Sequence, residues 1–191
     1  MKRECILVFS GLLLAVAFAA AVPEAGSAQQ PTAAPAVAEA PAAGPLLNPK
    51  QPFEGVLTGG FAGPEGYAVL ATEGYKTYVD LRPEAERTAD ADAPIPAGLR
   101  IERVPVAGEA DLNLATVRAL DKLLDDRTLY PVVVACGSGN RVGALLALRA
   151  FWLDGVPAQE ALDLGRKGGL TRLEPTVRML LGLPPAEAAQ P

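Results

Sequence analysis

Hydrophobic positions follow two different periods along most of the chain, beginning near residue 51. Short apolar stretches predict strands at 53–58, 76–81, 99–106 and 130–135. Longer segments with apolar residues three and four positions apart predict helices at 64–73, 113–126, 142–153, 157–165 and 174–183. Because strands alternate with helices, we expect an α/β fold whose small, mostly parallel sheet is flanked by helices.

Two of these elements have especially clear signals. The strand at 130–135 contains three consecutive valines, Val132 to Val134, a pattern typical of a central parallel strand buried on both faces. The helix at 113–126 opens with Asn113, a residue type that accepts hydrogen bonds from the free amides at a helix start. The centre of the predicted sheet and one flanking helix are therefore well defined.

The residues before 51 lack this alternation. Residues 1–28 have the order of a secretory signal, with two basic residues, an apolar run up to Val22 and small residues ending at Ala28. Residues 29–50 are rich in alanine and proline, which predicts an extended linker. Residues 51–184 then form the folded domain, and residues 185–191 a disordered tail.

The signal predicts where the protein acts. Its removal would place the chain in the periplasm or outside the cell, without stable membrane association. The alternative is an uncleaved anchor, because the apolar run from Ile6 to Val22 is at the short limit for a membrane-spanning helix. Cleavage would also remove Cys5 and leave Cys136 as the single thiol.

Composition narrows the chemistry. The 191 residues include 17 basic and 22 acidic side chains, two cysteines and no histidine. The missing histidine excludes a Ser-His-Asp triad, a Cys-His pair and a histidine-ligated zinc site. Two cysteines cannot build a four-thiolate metal site, and we expect neither a metal nor a cofactor. The net charge of −5 argues against a nucleic-acid partner.

The chemistry concentrates in the loop that follows the valine strand, Cys136-Gly137-Ser138-Gly139-Asn140-Arg141. Its glycines allow successive amides to point inward as an anion-binding nest, and the N-terminus of the next helix adds free donors. Arg141 can hold two oxygens of a tetrahedral anion with its planar fork. The same field favours the thiolate form of Cys136, which makes it a candidate nucleophile.

Two other interpretations compete with this one. Cys136 could be a small buried apolar residue without chemistry. The loop could be a dinucleotide fingerprint, because Gly137, Gly139 and Gly143 follow a strand and open a helix. A dinucleotide site normally has a further strand and an acidic residue about 20 positions on, whereas helices follow here.

The loop resembles the active-site loop of the dual-specificity and tyrosine phosphatase superfamily. It is more similar still to the beta-lactamase-hydrolase-like phosphatase branch, which includes a domain fused to NAD kinase-like proteins. The resemblance covers nearly all of 53–183 and includes the segments 57–60 and 73–86. It implies a phosphoester hydrolase in which Cys136 forms a cysteinyl-phosphate, Arg141 holds the equatorial oxygens, and a carboxylic acid protonates the leaving oxygen.

The resemblance also suggests where that acid lies. In the phosphatase fold it comes from the loop after the strand that ends near Val106, where Glu109 and Asp111 are candidates and Asp111 is favoured. Asp111 could instead serve the start of the following helix, as Asn113 does. Arg82, at the end of a neighbouring strand, could contact a second part of the anion or pair with Glu84 or Glu86.

The chain departs from the superfamily pattern in two ways. Four residues separate Cys136 from Arg141 instead of five, and Ala135 stands where a histidine is usual. A loop of this length also resembles that of the rhodanese sulfurtransferases, whose cysteine carries a persulfide, although those usually have arginine at the position of Gly137. Three functions stay open: a phosphatase-like hydrolase, a sulfurtransferase and a non-catalytic oxyanion-binding module. Each takes a phosphorylated or sulfur-containing anion.

Overall fold

The computed structural model describes residues 45–186 apart from Ala91. The predicted signal at 1–28, most of the predicted linker and the last residues of the predicted tail lie outside the described residues. Within the part of the chain that is described, no helix is long and apolar enough to cross a membrane.

The described residues form a five-stranded sheet. Its strands are β1 (Lys50–Phe53), β2 (Val56–Gly60), β3 (Thr77–Asp80), β4 (Arg100–Arg103) and β5 (Val132–Cys136), in the spatial order β1-β2-β5-β3-β4. β2, β5, β3 and β4 are parallel, and only β1 is antiparallel to its neighbour. The expected α/β fold with a mostly parallel sheet is confirmed.

The first predicted strand is wrong in its extent. The stretch 53–58 is split by a tight turn at Glu54 and Gly55, where Gly55 has a φ of +73°, so it belongs to the hairpin of β1 and β2. The fold also begins earlier than the composition suggested. Leu46 is buried, and the Leu47 carbonyl accepts a hydrogen bond of 2.7 Å from the Gly60 amide, although both leucines lie in the predicted linker.

All five predicted helices are present with shifted ends. They are α1 (Gly63–Thr72), α2 (Leu114–Asp125), α3 (Asn140–Trp152), α4 (Ala158–Lys167) and α5 (Glu174–Leu180). Asn113 caps α2 as predicted, because its side-chain oxygen accepts hydrogen bonds from the amides of Ala115 and Thr116 at 3.0 and 3.1 Å.

Strand β5 lies at the centre of the core. Val132 and Val134 pack among the helices α2 to α5 on one face of the sheet, and Val133 and Ala135 pack with α1 on the other. All four are fully buried, and burying each valine contributes about 1.5–3 kcal/mol. The strand is thus held from both faces, and it presents Cys136 at the edge where the parallel strands end, which is where open α/β sheets form their ligand crevices.

Candidate active site

The catalytic loop, as we call residues 136–141, joins the end of β5 to the start of α3. Cys136 is 1% exposed, and its Sγ accepts a hydrogen bond of 3.1 Å from the Gly139 amide. Gly139 has a φ of +91° and turns the backbone into the helix. The amides of the first turn of α3 have no acceptor within the helix and carry its partial positive charge. The thiol therefore sits beside a set of backbone donors suited to an oxyanion.

Three glycines allow the catalytic loop to lie against the sheet. A Cβ added to Gly60 would stand 2.8 Å from the Gly137 carbonyl oxygen, and one added to Gly139 would stand 3.5 Å from the Gly59 backbone. The missing side chain of Gly60 thus leaves room for the loop at the end of β2, and that of Gly139 lets the loop backbone lie against Gly59. Gly137 is constrained from the other side, because an added Cβ would lie 3.2 Å from Nη2 of Arg141.

Arg141 is bound to a carboxylate that the sequence had not connected with it. Nη1 donates to Glu86 Oε1 at 2.9 Å, and Nη2 donates to Glu86 Oε2 at 2.6 Å. Nη1 also donates to the Val106 carbonyl at 2.7 Å. Glu86 follows β3 closely, so the rule that ligand crevices form where parallel strands end could have indicated it as a site residue. The contact itself joins residues 55 positions apart.

These contacts leave one edge of the Arg141 guanidinium available. Three of the five N–H groups are used, and Glu86 occupies the end formed by the two Nη atoms. The side formed by Nε and Nη2 has no oxygen acceptor among the described residues. That side is the one that can hold two oxygens of a tetrahedral anion in a fork.

The environment of Arg141 keeps it charged. Burial would lower the pKa of its guanidinium, but the hydrogen bonds to Glu86 and the interaction with Cys136 raise that pKa above its usual value. The side chain is 15% exposed. A permanent cation therefore lies beside the thiol and is balanced by one carboxylate, half-exposed Glu86.

Asp111 lies on the loop between β4 and α2. Its Oδ2 accepts hydrogen bonds from the amides of Ala107 at 2.7 Å and Gly108 at 3.3 Å, whereas Oδ1 has no partner among the described residues. Val106, whose carbonyl binds Arg141, is the neighbour of Ala107. Asp111 and Arg141 thus hold adjacent residues of one loop, and Asn113 alone provides the side-chain cap of α2.

Arg82 has a different environment from the one predicted. Its Nε and Nη2 donate to Asp80 at 3.1 and 2.8 Å, and Nη1 and Nη2 donate to Asp90 at 3.2 and 2.7 Å. Nη1 also donates to the Glu86 carbonyl at 3.4 Å. The predicted side-chain partners, Glu84 or Glu86, are wrong, because Asp80 and Asp90 take that place.

This pairing leaves Arg82 no donor for a substrate. All five of its N–H groups have acceptors, and the residue is 4% exposed. The expected second contact with the substrate anion therefore has no support in the geometry. Arg82 instead ties the end of β3 to the turn that carries Asp90.

The side chains of the remaining predicted residues, Ser138 and Asn140, form no hydrogen bond with Arg141. Asn140 Oδ1 accepts hydrogen bonds from the Thr171 amide at 2.8 Å, the Thr171 hydroxyl at 3.1 Å and the Leu173 amide at 3.2 Å. Its side chain thus connects the start of α3 to the loop before α5. The backbone amide of Asn140 is the group that remains to bind an anion. Ser138 is half-buried and lines a cavity on the β1 side of the catalytic loop.

Solved structures share this fold. The active form of Tk-PTP is 18% identical with a TM-score of 0.53, over 70% of this chain and 95% of that one. A protein from Neisseria meningitidis z2491, described as a phosphatase candidate, is 19% identical with a TM-score of 0.53, over 67% and 94%. The Siw14 catalytic core is 13% identical with a TM-score of 0.50, over 75% and 88%. At these identities the likeness concerns the fold alone.

Sequence comparison identifies the family. No curated protein matches the chain. A family model, described as the DSP-PTPase phosphatase fused to NAD+ kinase, matches residues 39–168, which is more than half of the chain. This match confirms the resemblance to the dual-specificity and tyrosine phosphatase superfamily, and it includes the whole catalytic loop. The chain belongs to this family of cysteine-dependent, phosphatase-like proteins.

Proposed function

We propose that the protein hydrolyses phosphomonoesters through a cysteinyl-phosphate on Cys136. The observation that carries the proposal is the Nε–Nη2 edge of Arg141, which binds no oxygen acceptor among the described residues and belongs to a guanidinium that interacts with the Cys136 thiol. A phosphoryl group has three equatorial oxygens, and these donors suit such a group. Arg82, by contrast, is fully engaged and acts as a support.

The first half of the reaction is the transfer of the phosphoryl group. Sγ of the Cys136 thiolate bonds to phosphorus while the bond to the ester oxygen breaks, and the leaving oxygen takes a proton from a carboxylic acid. The backbone amides and Arg141 stabilise the charge that builds on the equatorial oxygens. No histidine is needed in this step, because the amides and the guanidinium stabilise the charge and a carboxyl group transfers the proton.

The second half is hydrolysis of the intermediate. The carboxylate takes a proton from water, whose oxygen bonds to phosphorus, and phosphate leaves as the thiolate is restored. We assign the carboxyl group to Asp111. Its Oδ2 is oriented by two amides, and its Oδ1 has no partner among the described residues and is available for the proton.

The nucleophile is tested by substitution at Cys136. With p-nitrophenyl phosphate, Cys136→Ser should abolish turnover, since a hydroxyl is a much weaker nucleophile at neutral pH. The folded variant should still bind vanadate or phosphate, which calorimetry measures. Vanadate binding by a wild-type protein that hydrolyses no phosphoester would identify an oxyanion-binding module and contradict the proposal.

The acid is tested by varying the leaving group. Asp111→Asn should lower kcat/KM, which reports phosphoryl transfer and not the later hydrolysis of the intermediate, about 10²–10³-fold for an alkyl phosphate, within the range of general acid catalysis. The loss should be much smaller for p-nitrophenyl phosphate, whose phenolate leaves without protonation. Glu109→Gln is the matched control, and an equal loss for both esters would contradict the role of Asp111.

Sulfur transfer is a second candidate, favoured by the four-residue spacing between Cys136 and Arg141. The Gly139 amide already donates to Sγ, a contact that would also stabilise a persulfide. In that reaction the thiolate bonds to the outer sulfur of thiosulfate, the S–S bond breaks, and sulfite leaves with the electron pair. Intact mass after incubation with thiosulfate decides the matter, because one added sulfur supports this candidate and an unchanged mass excludes it.

We also propose that the protein is exported and acts in the periplasm or outside the cell. The support is the order of basic, apolar and small residues in 1–28. Intact mass of the protein recovered from the periplasm of an expressing bacterium should match a chain that begins at Gln29. A full-length chain in the membrane fraction would indicate the uncleaved anchor instead.

A further inference from the structure

A cavity of about 590 Å³ opens on the β1 side of the catalytic loop. We call it the basic cavity; it is lined by Asn48, Lys50, Ser138, Arg166, Gly169, Leu170, Thr171 and Arg172. Its walls come from the start of β1, the catalytic loop and the connection between α4 and α5. The volume falls within the about 300–1,000 Å³ that is typical of small-molecule sites.

The charge of the basic cavity has one sign. No carboxylate lines it, although the whole chain has a net charge of −5. Lys50 and Arg172 are exposed, and neither forms an ion pair with any described residue. Arg166 differs, because it binds Asp163 and Glu174. Two other cavities of the described fold, by contrast, are lined by charges of both signs.

The basic cavity is joined rigidly to the catalytic loop. Ser138 belongs to both, and Gly169 lies so close that a Cβ there would stand 3.1 Å from the Gly139 carbonyl oxygen. Thr171, which also lines the cavity, donates two hydrogen bonds to the side-chain oxygen of Asn140. A ligand that fills the cavity is therefore held in a set position relative to the phosphoryl site.

The opposite side of the catalytic loop has the opposite charge. Glu86 pairs there with Arg141, and Asp111 binds the loop whose Val106 carbonyl accepts from Arg141, so a second anion on this side would approach carboxylates. A second anionic group on the substrate is therefore attracted to the side of Lys50 and Arg172 and repelled from the β4 side.

We propose that the basic cavity binds a second anionic group of a small phosphoester. The preferred substrate then carries two negatively charged groups: one is cleaved at Cys136, and the other is held by Lys50 and Arg172. This inference rests on the proposed phosphatase function and adds the class of substrate to it.

The test compares three phosphate esters with the wild type and a double variant, Lys50→Ala with Arg172→Ala. A hexose bisphosphate and the matching hexose monophosphate differ by the second anion, and p-nitrophenyl phosphate reports the phosphatase reaction itself. The wild type should prefer the bisphosphate in kcat/KM, and the double variant should lose about tenfold of that preference, as expected for two exposed ion pairs. Arg118→Ala with Lys122→Ala removes two exposed cations from α2 and should leave the preference unchanged.

The outcomes separate the two proposals. If p-nitrophenyl phosphate is hydrolysed but the preference for the bisphosphate is absent or survives in the double variant, the basic cavity is not a substrate site. If no ester is hydrolysed, the phosphatase proposal fails first, and calorimetry with Cys136→Ser then tests binding alone. Equal affinity of that variant for bisphosphate and monophosphate overturns the inference. If the preference for a second anion is absent with the hexose esters and appears only when acidic phosphopeptides are the substrates, the assignment to small molecules is overturned.

Discussion

Arg82 and Arg141 lie at the same edge of the sheet but differ in how many of their N–H groups bind protein acceptors. Both bind carboxylates, and sequence alone made both candidates for the anion site. Arg82 donates all five of its N–H groups to protein acceptors, whereas Arg141 donates three and keeps one edge beside Cys136. The difference supports the proposal that Arg141, which keeps N–H groups without protein oxygen acceptors, binds the substrate anion and that Arg82 does not.

The carboxylates around the two arginines explain this difference. Arg82 is held by two buried acids, Asp80 and Asp90, whose side chains are 2% and 8% exposed. Arg141 is held by one acid, Glu86, whose side chain is 42% exposed. An arriving anion meets an excess of negative charge at Arg82 and a balanced ion pair at Arg141. Substitutions in the two clusters should therefore affect different properties.

The largest expected effect is on stability, from Arg82→Met. Removing this guanidinium leaves Asp80 and Asp90 buried without a cation, which should lower the free energy of unfolding by about 3–5 kcal/mol. Urea denaturation measures the loss. Arg100→Met is the control, because its pair with Glu102 is exposed and should contribute less than about 1 kcal/mol. A stable Arg82→Met protein with a hundredfold lower kcat/KM would show that Arg82 contacts substrate after all.

The next effect is on catalysis, from Arg141→Lys. Lysine keeps the charge but lacks the planar fork, so it cannot bind Glu86 and an oxyanion along two edges at once. We expect kcat to fall about 10²–10³-fold, comparable to the loss of one oxyanion donor, with the melting temperature nearly unchanged. Steady-state kinetics and a thermal melt of the same sample separate the two quantities. A kcat within threefold of wild type would remove Arg141 from the reaction.

A smaller effect is expected from Glu86→Gln, which keeps the shape and removes the charge that orients Arg141. The exposed ion pair contributes about 1 kcal/mol, so kcat/KM for p-nitrophenyl phosphate should fall about fivefold. Affinity for vanadate should fall in parallel, because the Arg141 fork loses its fixed direction. Glu84→Gln, on the same turn, is the matched control. A loss confined to the melting temperature would mean that Glu86 supports the fold and does not position Arg141.

The smallest effect concerns Glu174, which pairs with Arg166 near the surface. The hydrogen bonds from Arg166 hold the pKa of the Glu174 carboxyl below its usual value. Because the pKa of Glu174 is lower in the folded state, this pair stabilises the fold above the unfolded pKa of about 4.3. The contribution is lost as the pH falls through the folded pKa. Glu174→Gln should therefore be less stable than wild type by up to about 1 kcal/mol at pH 7, and the gap should close below pH 4. A gap that is independent of pH would contradict the role of this ion pair.

Local patterns were sufficient for most of the fold. The three valines of β5, the cap at Asn113 and the apolar helix after the catalytic loop are signals within a few residues, and each is found where it was predicted. The hairpin of β1 and β2 was not predicted, because its turn lies inside the stretch that was interpreted as one strand. The positive φ of Gly55 marks this turn in the structure.

The sequence was sufficient to place Cys136 and the Gly-rich loop between a strand and a helix, but not to predict the ion pairs around them. Cys136 and Arg141 are close in sequence, and a Gly-rich loop between a strand and a helix has few possible shapes. The partner of Arg141 lies 55 positions away, and the Ala-Asp-Ala stretch around Asp90 has no pattern that connects it with Arg82. Such pairs depend on how the strands are ordered in the sheet, which propensity and periodicity do not determine.

The central claim is that Cys136 becomes phosphorylated during turnover. Rapid acid quench of the Asp111→Asn variant with p-nitrophenyl phosphate, followed by peptide mass measurement, tests it directly, because this variant should form the intermediate faster than it hydrolyses it. We predict one added phosphoryl group on the peptide that contains Cys136 and none in the Cys136→Ser protein. Steady hydrolysis with no phosphoryl group on that peptide, or undiminished hydrolysis by Cys136→Ser, would contradict the account.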